Sequence, residues 1–394
     1  MASLLEGVRV LDLTRAVSGP FCTQMLGDMG AEIIKVELPG AGDSVRAFGP
    51  FVNGESAYFM NYNRNKRSVT LALDRPEANE ILRGLIRECD VLVENFKPGV
   101  MARMGFDYDS AKALREDIIY ASISGFGQSG VLSRLPAFDS IVQGVSGLMS
   151  LTGVEGEAPQ RVPAMPCDHV GGLHGVIGVL AAIVYRQRTG KGQYVDIAMT
   201  DAIMSTLESA VPYCLNTGEN PPRTGNRSNF GDHPLNIYKT KDGYLTLQTL
   251  GQVQYEKCMR AMGLDDMAED QELSSPDKRR AKAEYMDERI APWMAERTTE
   301  EAMAALKGVP CGPVYDMRAV LGSRYVSERG VLWEMENTRA GAYKAVGCPI
   351  RFSEAQPKAV SGAPCLGEDN ERVLGDILGY SRERLDALRE NGVI

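Results

Sequence analysis

Apolar residues fall into two rhythms along this chain. Short, dense runs of β-branched and aliphatic residues at 8–14 (VRVLDLT), 31–37 (AEIIKVE), 68–73, 91–94, 118–124 and 194–198 predict strands. Between them lie stretches whose apolar positions recur every three or four residues, such as 21–30 (FCTQMLGDMG) and 76–87, and these predict helices. A Gly-Pro pair at 19–20 turns the first strand into the first helix, and the second strand follows, which makes a βαβ unit. Repeated over the first 200 residues, this alternation predicts an α/β, Rossmann-like large domain with a doubly wound parallel sheet, whose ligand lies beyond the carboxyl ends of the strands.

The pattern then changes. Residues 201–224 read as a linker, and the stretch 216–236 (NTGENPPRTGNRSNFGDHPLN) is rich in Gly, Pro and Asn. A smaller α/β domain is expected over 225–320, with a charged helical region at 265–308 closed by Gly-Val-Pro-Cys-Gly-Pro. Residues 321–394 are expected to return to the large domain and to end in one amphipathic helix over 368–390. At 394 residues the chain is too long for one ordinary domain.

Composition narrows the function classes. A net charge of −9 argues against a nucleic-acid partner, since affinity for a phosphate backbone rests on concentrated Lys and Arg. Eight scattered cysteines without a C-x-x-C pair indicate neither a disulfide framework nor a zinc ribbon, and a reducing cytoplasm is expected. No basic segment followed by an apolar stretch opens the sequence. The longest apolar run, 170–185, contains His174 and falls short of the roughly 20 residues that cross a bilayer, so it predicts a buried helix and no membrane partner.

Two motifs suggest cofactors and fail on context. GFGQSG (125–130) matches G-x-G-x-x-G after a strand, but the helix that should open there meets Pro136, and no strand ending in an acid follows at the right distance. Glu37 ends the second strand as a ribose-binding acid would, yet the preceding turn offers only Ser18-Gly19-Pro20. No NAD site is expected. Cys167, His169 and His174 could ligate a metal, but two histidines five apart on a helix point about 140° apart and no third partner follows, so no metal is expected.

The stretch PAMPCDHVGGLHG (163–175) carries the main chemical question. Asp168 stands where a helix beginning near His169 would present free N–H groups, and Asp is among the best N-cap residues. The same carboxylate could instead be a nucleophile, with Gly171 and Gly172 letting a substrate approach the backbone. The residues alone leave both roles open.

Several segments, taken together, resemble one family, the class III coenzyme A transferases (formyl-CoA, carnitine and bile-acid CoA-transferases). They are GVRVLDLTRAVSGPFCTQMLGDMGAEIIKVE (7–37), NRNKRSVTL (63–71), VLVENFKPGVMARMGF (91–106), SGFGQSG (124–130), AFDSIVQGVSGLMSLTG (137–153), RTGKGQYVDIAM (188–199), PCGPV (310–314) and APCLGE (363–368). The resemblance implies that Asp168 is the catalytic aspartate, acylated by an acyl-CoA and then converted to an aspartyl-CoA thioester. It implies coenzyme A as substrate, held near Arg15, Ala16 and Val17 and near Leu71, Asn95, Phe96 and Arg103, with Lys97 as an added phosphate contact. The N–H groups around Gly171 and Gly172 are candidates for stabilising an oxyanion. An interlocked, ring-like homodimer acting on acyl-CoA and carboxylic acid substrates is also implied.

Departures from the pattern separate branches. Val17 stands where oxalate-specific members carry glutamine, and LQTLGQVQ (247–254) where they carry a glycine-run lid, so the formyl/oxalate pair is not expected. The family's 2-methylacyl-CoA racemases pair the aspartate with a G-H-D histidine, and here the stretch is Ala137-Phe138-Asp139. Phenylalanine cannot take a proton, so racemisation is the runner-up, requiring His169 or His174 as the second base. Asn229, His233 and Tyr238 are candidates for the acid pocket.

Overall fold

Six strands form one parallel sheet: β1 (Arg9–Asp12), β2 (Glu32–Glu37), β3 (Lys66–Thr70), β4 (Val91–Glu94), β5 (Ile119–Ser124) and β6 (Tyr194–Ala198). Their order is β3-β2-β1-β4-β5-β6. In register, Val10 of β1 lies opposite Ile33 of β2 and Val91 of β4. The chain therefore reverses direction across the sheet between β1 and β4, and in such sheets that switch point opens a crevice at the strands' carboxyl ends. The computed structural model describes residues 3–394.

Helices cover the sheet because each carries an apolar stripe. In α3 (Pro76–Glu88), which follows the short α2 (Ala57–Asn63), the buried positions are Ala78, Ile81, Leu82, Leu85 and Ile86, which is the 3.6-residue rhythm. Burying each of the four larger side chains contributes about 1.5–3 kcal/mol. Helix α1 (Ser18–Asp28) is buried along nearly its whole length and packs against the 24-residue helix α5 (Pro166–Thr189). Glycine permits that approach: a Cβ on Gly172 would stand 2.7 Å from the Ser18 carbonyl oxygen, and one on Gly171 would stand 2.7 Å from Met199. Among the described residues α5 alone is long and apolar enough to span a bilayer, eight residues longer than the 170–185 run suggested, and it packs on α1, β5 and β6.

Two compact units divide the chain. The first comprises residues 3–147, 162–206 and 329–394, and the second comprises 148–161 and 207–328. The division thus falls at 206/207 and 328/329 instead of 224/225 and 320/321, and 148–161 joins the second unit. Residues 201–224 are not an open linker, since they contain the end of the helix Met199–Met204 and the helix Ala210–Thr217. The second unit holds the antiparallel strands β7 (Leu235–Lys239), β8 (Tyr244–Gln248) and β9 (Cys311–Pro313), over a core that includes Leu245, Tyr255, Met286 and Ile290. The terminal helix is two helices, Asn370–Leu378 and Arg382–Glu390. Gly379 breaks it by taking φ +68°, and Ser381 caps the second piece, a stop and start that apolar periodicity alone does not reveal.

Candidate active site

Helix α5 begins at Pro166, so Asp168 is its third residue and not its N-cap. Proline suits the first helical position, since its missing N–H would have no intrahelical acceptor there. The N–H groups of Cys167 and Asp168 are instead capped from a different helix, α4 (Asp139–Val145): Asp139 Oδ2 accepts them at 2.8 and 3.2 Å. Gln143, one turn further along α4, donates to Asp139 Oδ1 and also donates to and accepts from the backbone of Val162. Asp139 thus does the capping, and the Asp168 carboxylate is left without that task.

That carboxylate is held up in pKa to about 7, first by burial and then by the neighbouring negative charge of Asp139, against the pull of a hydrogen bond from Ser18. No lysine or arginine acts on it. Ser18 opens α1, where its hydroxyl also meets Asn95 Nδ2 at 3.5 Å, so the CoA-turn candidate Asn95 and Asp168 share one neighbour. An aromatic group stands beside Asp168. His169 Nδ1 donates to Met165 O at 2.8 Å, Nε2 hydrogen-bonds the Tyr62 hydroxyl at 3.1 Å, and Phe21 meets the imidazole edge-on at 4.9 Å. Burial raises the Tyr58 phenol to about 12, with the charge of Asp168 adding to the shift. His174 likewise donates Nδ1–H to its own helix, at Val170 O. Among the described residues no three His, Cys, Asp or Glu side chains converge as metal ligands would.

A second feature lies at the carboxyl ends of β1, β2 and β4. A cavity of about 190 Å³ is lined by Leu13, Arg15, Val36, Leu71, Phe96 and Met104, among others. Three of the expected CoA residues, Arg15, Leu71 and Phe96, are thus brought together from sequence positions far apart, and the Arg15 guanidinium lies 4.8 Å from the Phe96 ring centroid. Lys97 and Arg103 are exposed beside Phe96 and Met104, and neither is ion-paired among the described residues. Asn95 ties the turn by its side chain, accepting Arg15 N–H and donating to Arg15 O, each at 2.8 Å. Val17 is buried as the N-cap of α1, and Ala16 takes φ +65°. A larger cavity, of about 840 Å³, opens near the amino ends of β2 and β3 around Glu32, Lys66 and Arg67, away from Asp168.

Two expectations are corrected. Gly171 and Gly172 lie inside α5, where their N–H groups serve the helix ladder, so they are packing glycines and not oxyanion donors. His233 and Tyr238 are buried in the second unit, where both hydrogen-bond Asp287 Oδ1, at 3.0 and 2.5 Å, while Asn229 accepts from Thr224. His233 and Tyr238 are thus engaged inside the second unit, whereas Asn229 is half-buried with its Oδ1 on Thr224. GFGQSG, as expected, opens no helix, and its Gln128 N–H donates to Asp196.

A doubly wound sheet with a cleft at its switch point, and a buried carboxylate without a cation beside it, define an α/β protein equipped for acyl-group chemistry. The chain belongs to CoA-transferase family III, whose sequence model matches residues 5–370. It is a CoA-transferase, and coenzyme A thioesters are its substrates. It is 34% identical to succinyl-CoA:glutarate CoA-transferase of Mus musculus over 99% of this chain and 90% of that protein. It is also 34% identical to formyl-CoA:oxalate CoA-transferase of Bradyrhizobium sp. (strain ORS 278), over 100% and 98%. Among solved structures, a CAIB/BAIF family protein from Brucella suis superimposes with a TM-score of 0.85 at 32% identity, covering 96% of this chain and 100% of that one.

Sequence reasoning missed Ser18, Tyr58 and Tyr62, and it named Asp139 without seeing its capping role. Tyr62 and His169 are 107 positions apart, and no local pattern announces their contact.

Proposed function

We propose that the chain transfers coenzyme A through covalent intermediates on Asp168. The observation that carries this reading is a buried carboxylate released from capping by Asp139 and raised to about 7, so that near neutral pH it stands between its two forms, and its anion, not quenched by a cation, is the more basic nucleophile. The Asp168 carboxylate attacks the donor thioester carbonyl, the CoA thiolate leaves, and a mixed anhydride remains. The thiolate attacks the aspartyl carbonyl, and the donor carboxylate departs, leaving an aspartyl-CoA thioester. The acceptor carboxylate attacks that thioester and expels CoA thiolate. The thiolate then takes the acceptor's acyl group and frees Asp168. Each intermediate is an activated acyl group, so water must be kept out.

Coenzyme A lies in this reading along the β1–β4 cleft, with its apolar face against Leu71 and Phe96 and its phosphates near Arg15, Lys97 and Arg103. The protein works without NAD or a metal, as a cytoplasmic homodimer, away from membranes and nucleic acids. Racemisation stays the runner-up: Phe138, in the racemase histidine's place, is 76% exposed and takes no proton, His169 Nε2 is engaged with Tyr62, and His174, tied through Nδ1 to Val170 O, is the remaining candidate for a second base. The acid pair is of the succinate–glutarate kind before the formyl–oxalate kind, since Val17 is apolar and Gly251 is the one glycine in 247–254.

The test is trapping. Incubation with succinyl-CoA followed by hydroxylamine is expected to shift the mass of the peptide bearing Asp168. Turnover with that peptide unmodified refutes the covalent assignment.

A further inference from the structure

The turn from Thr14 to Ala16 has no backbone ladder of its own, yet five of its six backbone polar groups are held, all by side chains. Thr14 N–H donates to Asp12 Oδ1 at 2.8 Å, and Thr14 O accepts from Lys35 Nζ at 2.8 Å. Asn95 takes both groups of Arg15. Ala16 N–H points between the two oxygens of Asp43, 3.2 Å from each. Asp43 is itself fixed: its side chain is fully buried, ion-paired to the fully buried Lys35 at 3.2 Å, and its N–H donates to Glu37 Oε2 at 3.0 Å. Gly19 closes the turn from the other side, since a Cβ there would stand 2.4 Å from the Thr14 side chain.

Ala16 pays for this arrangement. Its φ of +65° is a left-handed conformation that a residue with a Cβ adopts at a cost, and alanine has no side-chain polar group to offset it. Such a conformation persists only where the surroundings over-determine it. Left to itself, the turn would relax and carry the Arg15 side chain and the start of α1 with it. A buried ion pair is rarely the most stabilising way to fill a core, so its presence here asks for a positional reason.

We infer that Asp43, held by Lys35, is a positioning residue that locks Ala16 in the left-handed conformation and so presets the Arg15–Ser18 turn for coenzyme A. The inference rests on the reading of that turn as the CoA site. The Asp43 side chain bonds Ala16 N–H, Val45 N–H and Lys35 and not Asp168, and it stands at the edge of the cleft read as the CoA site, so its effect is expected on acyl-CoA binding before the chemical steps.

The experiment compares wild type, Asp43→Asn, Asp43→Asn with Ala16→Gly, and Ala16→Val in the full-length protein. CoA affinity is measured by calorimetry, KM and kcat with an acyl-CoA, and hydrogen exchange at the Ala16 amide without ligand. Asp43→Asn is expected to weaken CoA about tenfold, in KM more than in kcat, and to speed exchange at Ala16. Glycine at 16 adopts positive φ freely, so the double variant is expected to regain most of the lost affinity. Ala16→Val keeps the ion pair, guarding against a folding defect in Asp43→Asn, and is expected to weaken CoA at least as much because a β-branched residue resists this conformation. Unchanged Ala16 exchange and CoA affinity in both single variants, or a loss in Asp43→Asn that glycine at 16 does not relieve, overturns the inference. Failure of wild type to bind CoA while Asp43→Asn speeds Ala16 exchange instead overturns the functional reading of the turn and leaves the lock standing.

Discussion

Asp12 and Asp168 are both buried aspartates of the first unit, and their surroundings drive them in opposite directions. At Asp12 burial pushes the pKa up, but the ammoniums of Lys66, at 3.0 Å, and of Lys35 overcome it, with the Thr14 and Thr23 hydroxyls helping, and the carboxyl is held down to about 2. At Asp168 burial is reinforced by Asp139, and only a hydroxyl opposes it. The lesson is that burial alone does not assign a role. A cation at bonding distance makes a carboxylate a permanent anion that ties loops together, whereas a capped helix start without a cation leaves one poised between its two forms near pH 7.

The largest expected effect separates the two outright. Asp168→Asn should lower turnover by on the order of 10³-fold or more, as loss of a covalent nucleophile does, in a steady-state assay with a working acyl-CoA and acid. The same variant should melt higher than wild type at pH 8 and not at pH 4. The folded pKa of Asp168 is raised, so its ionisation costs the fold increasingly as pH climbs from about 4 to about 7, and asparagine removes that cost.

Asp12→Asn should act oppositely, leaving Lys66 buried without its anion and costing about 3–5 kcal/mol in denaturant unfolding. The sign with pH also reverses. Asp12 has a depressed folded pKa, so its contribution to wild-type stability is present above about pH 4 and is lost as pH falls toward 2.

Asp139 sharpens the comparison because charge and capping can be parted. Wild-type kcat/KM should rise with pH through about 7 as Asp168 ionises, and Asp139→Asn should move that limb to lower pH by removing the nearby anion while keeping an acceptor for Cys167 and Asp168. Asp139→Ala removes both and should destabilise by about 0.5–2 kcal/mol in thermal or denaturant melts, the cost of a lost cap. A limb that stays in place in Asp139→Asn contradicts the electrostatic account. Smallest of all, Tyr62→Phe deletes the hydroxyl on His169 and should cost about 1 kcal/mol in the same melts, with little movement of the limb, since no charge is lost.

Much of this was legible in advance. The six sheet strands were placed within two residues of their observed ends at most positions, because buried parallel strands such as β4 and β5 are near-continuous apolar runs that little else in a sequence imitates. The 68–73 run came out as Lys66–Thr70, since its first residue is a lysine whose ammonium is buried against Asp12, which reads from sequence as a surface residue. The helix end at Gly379 and the helices within 201–224 escaped because short breaks and short helices carry weak periodicity.

The sequence by itself determined the alternating strand and helix order, hence the doubly wound sheet, the cleft at its switch point and the candidacy of Asp168, because these depend on local periodicity and on residues close together along the chain. Only the tertiary structure decided which carboxylate caps α5, which one has no cation beside it, that Gly172 packs against α1 and Gly171 against Met199, and that Ala16 is left-handed with its N–H on Asp43. Those outcomes turn on contacts between residues tens of positions apart, and the pKa of a carboxyl is set by whatever lies within a few ångströms of it, which no stretch of sequence contains.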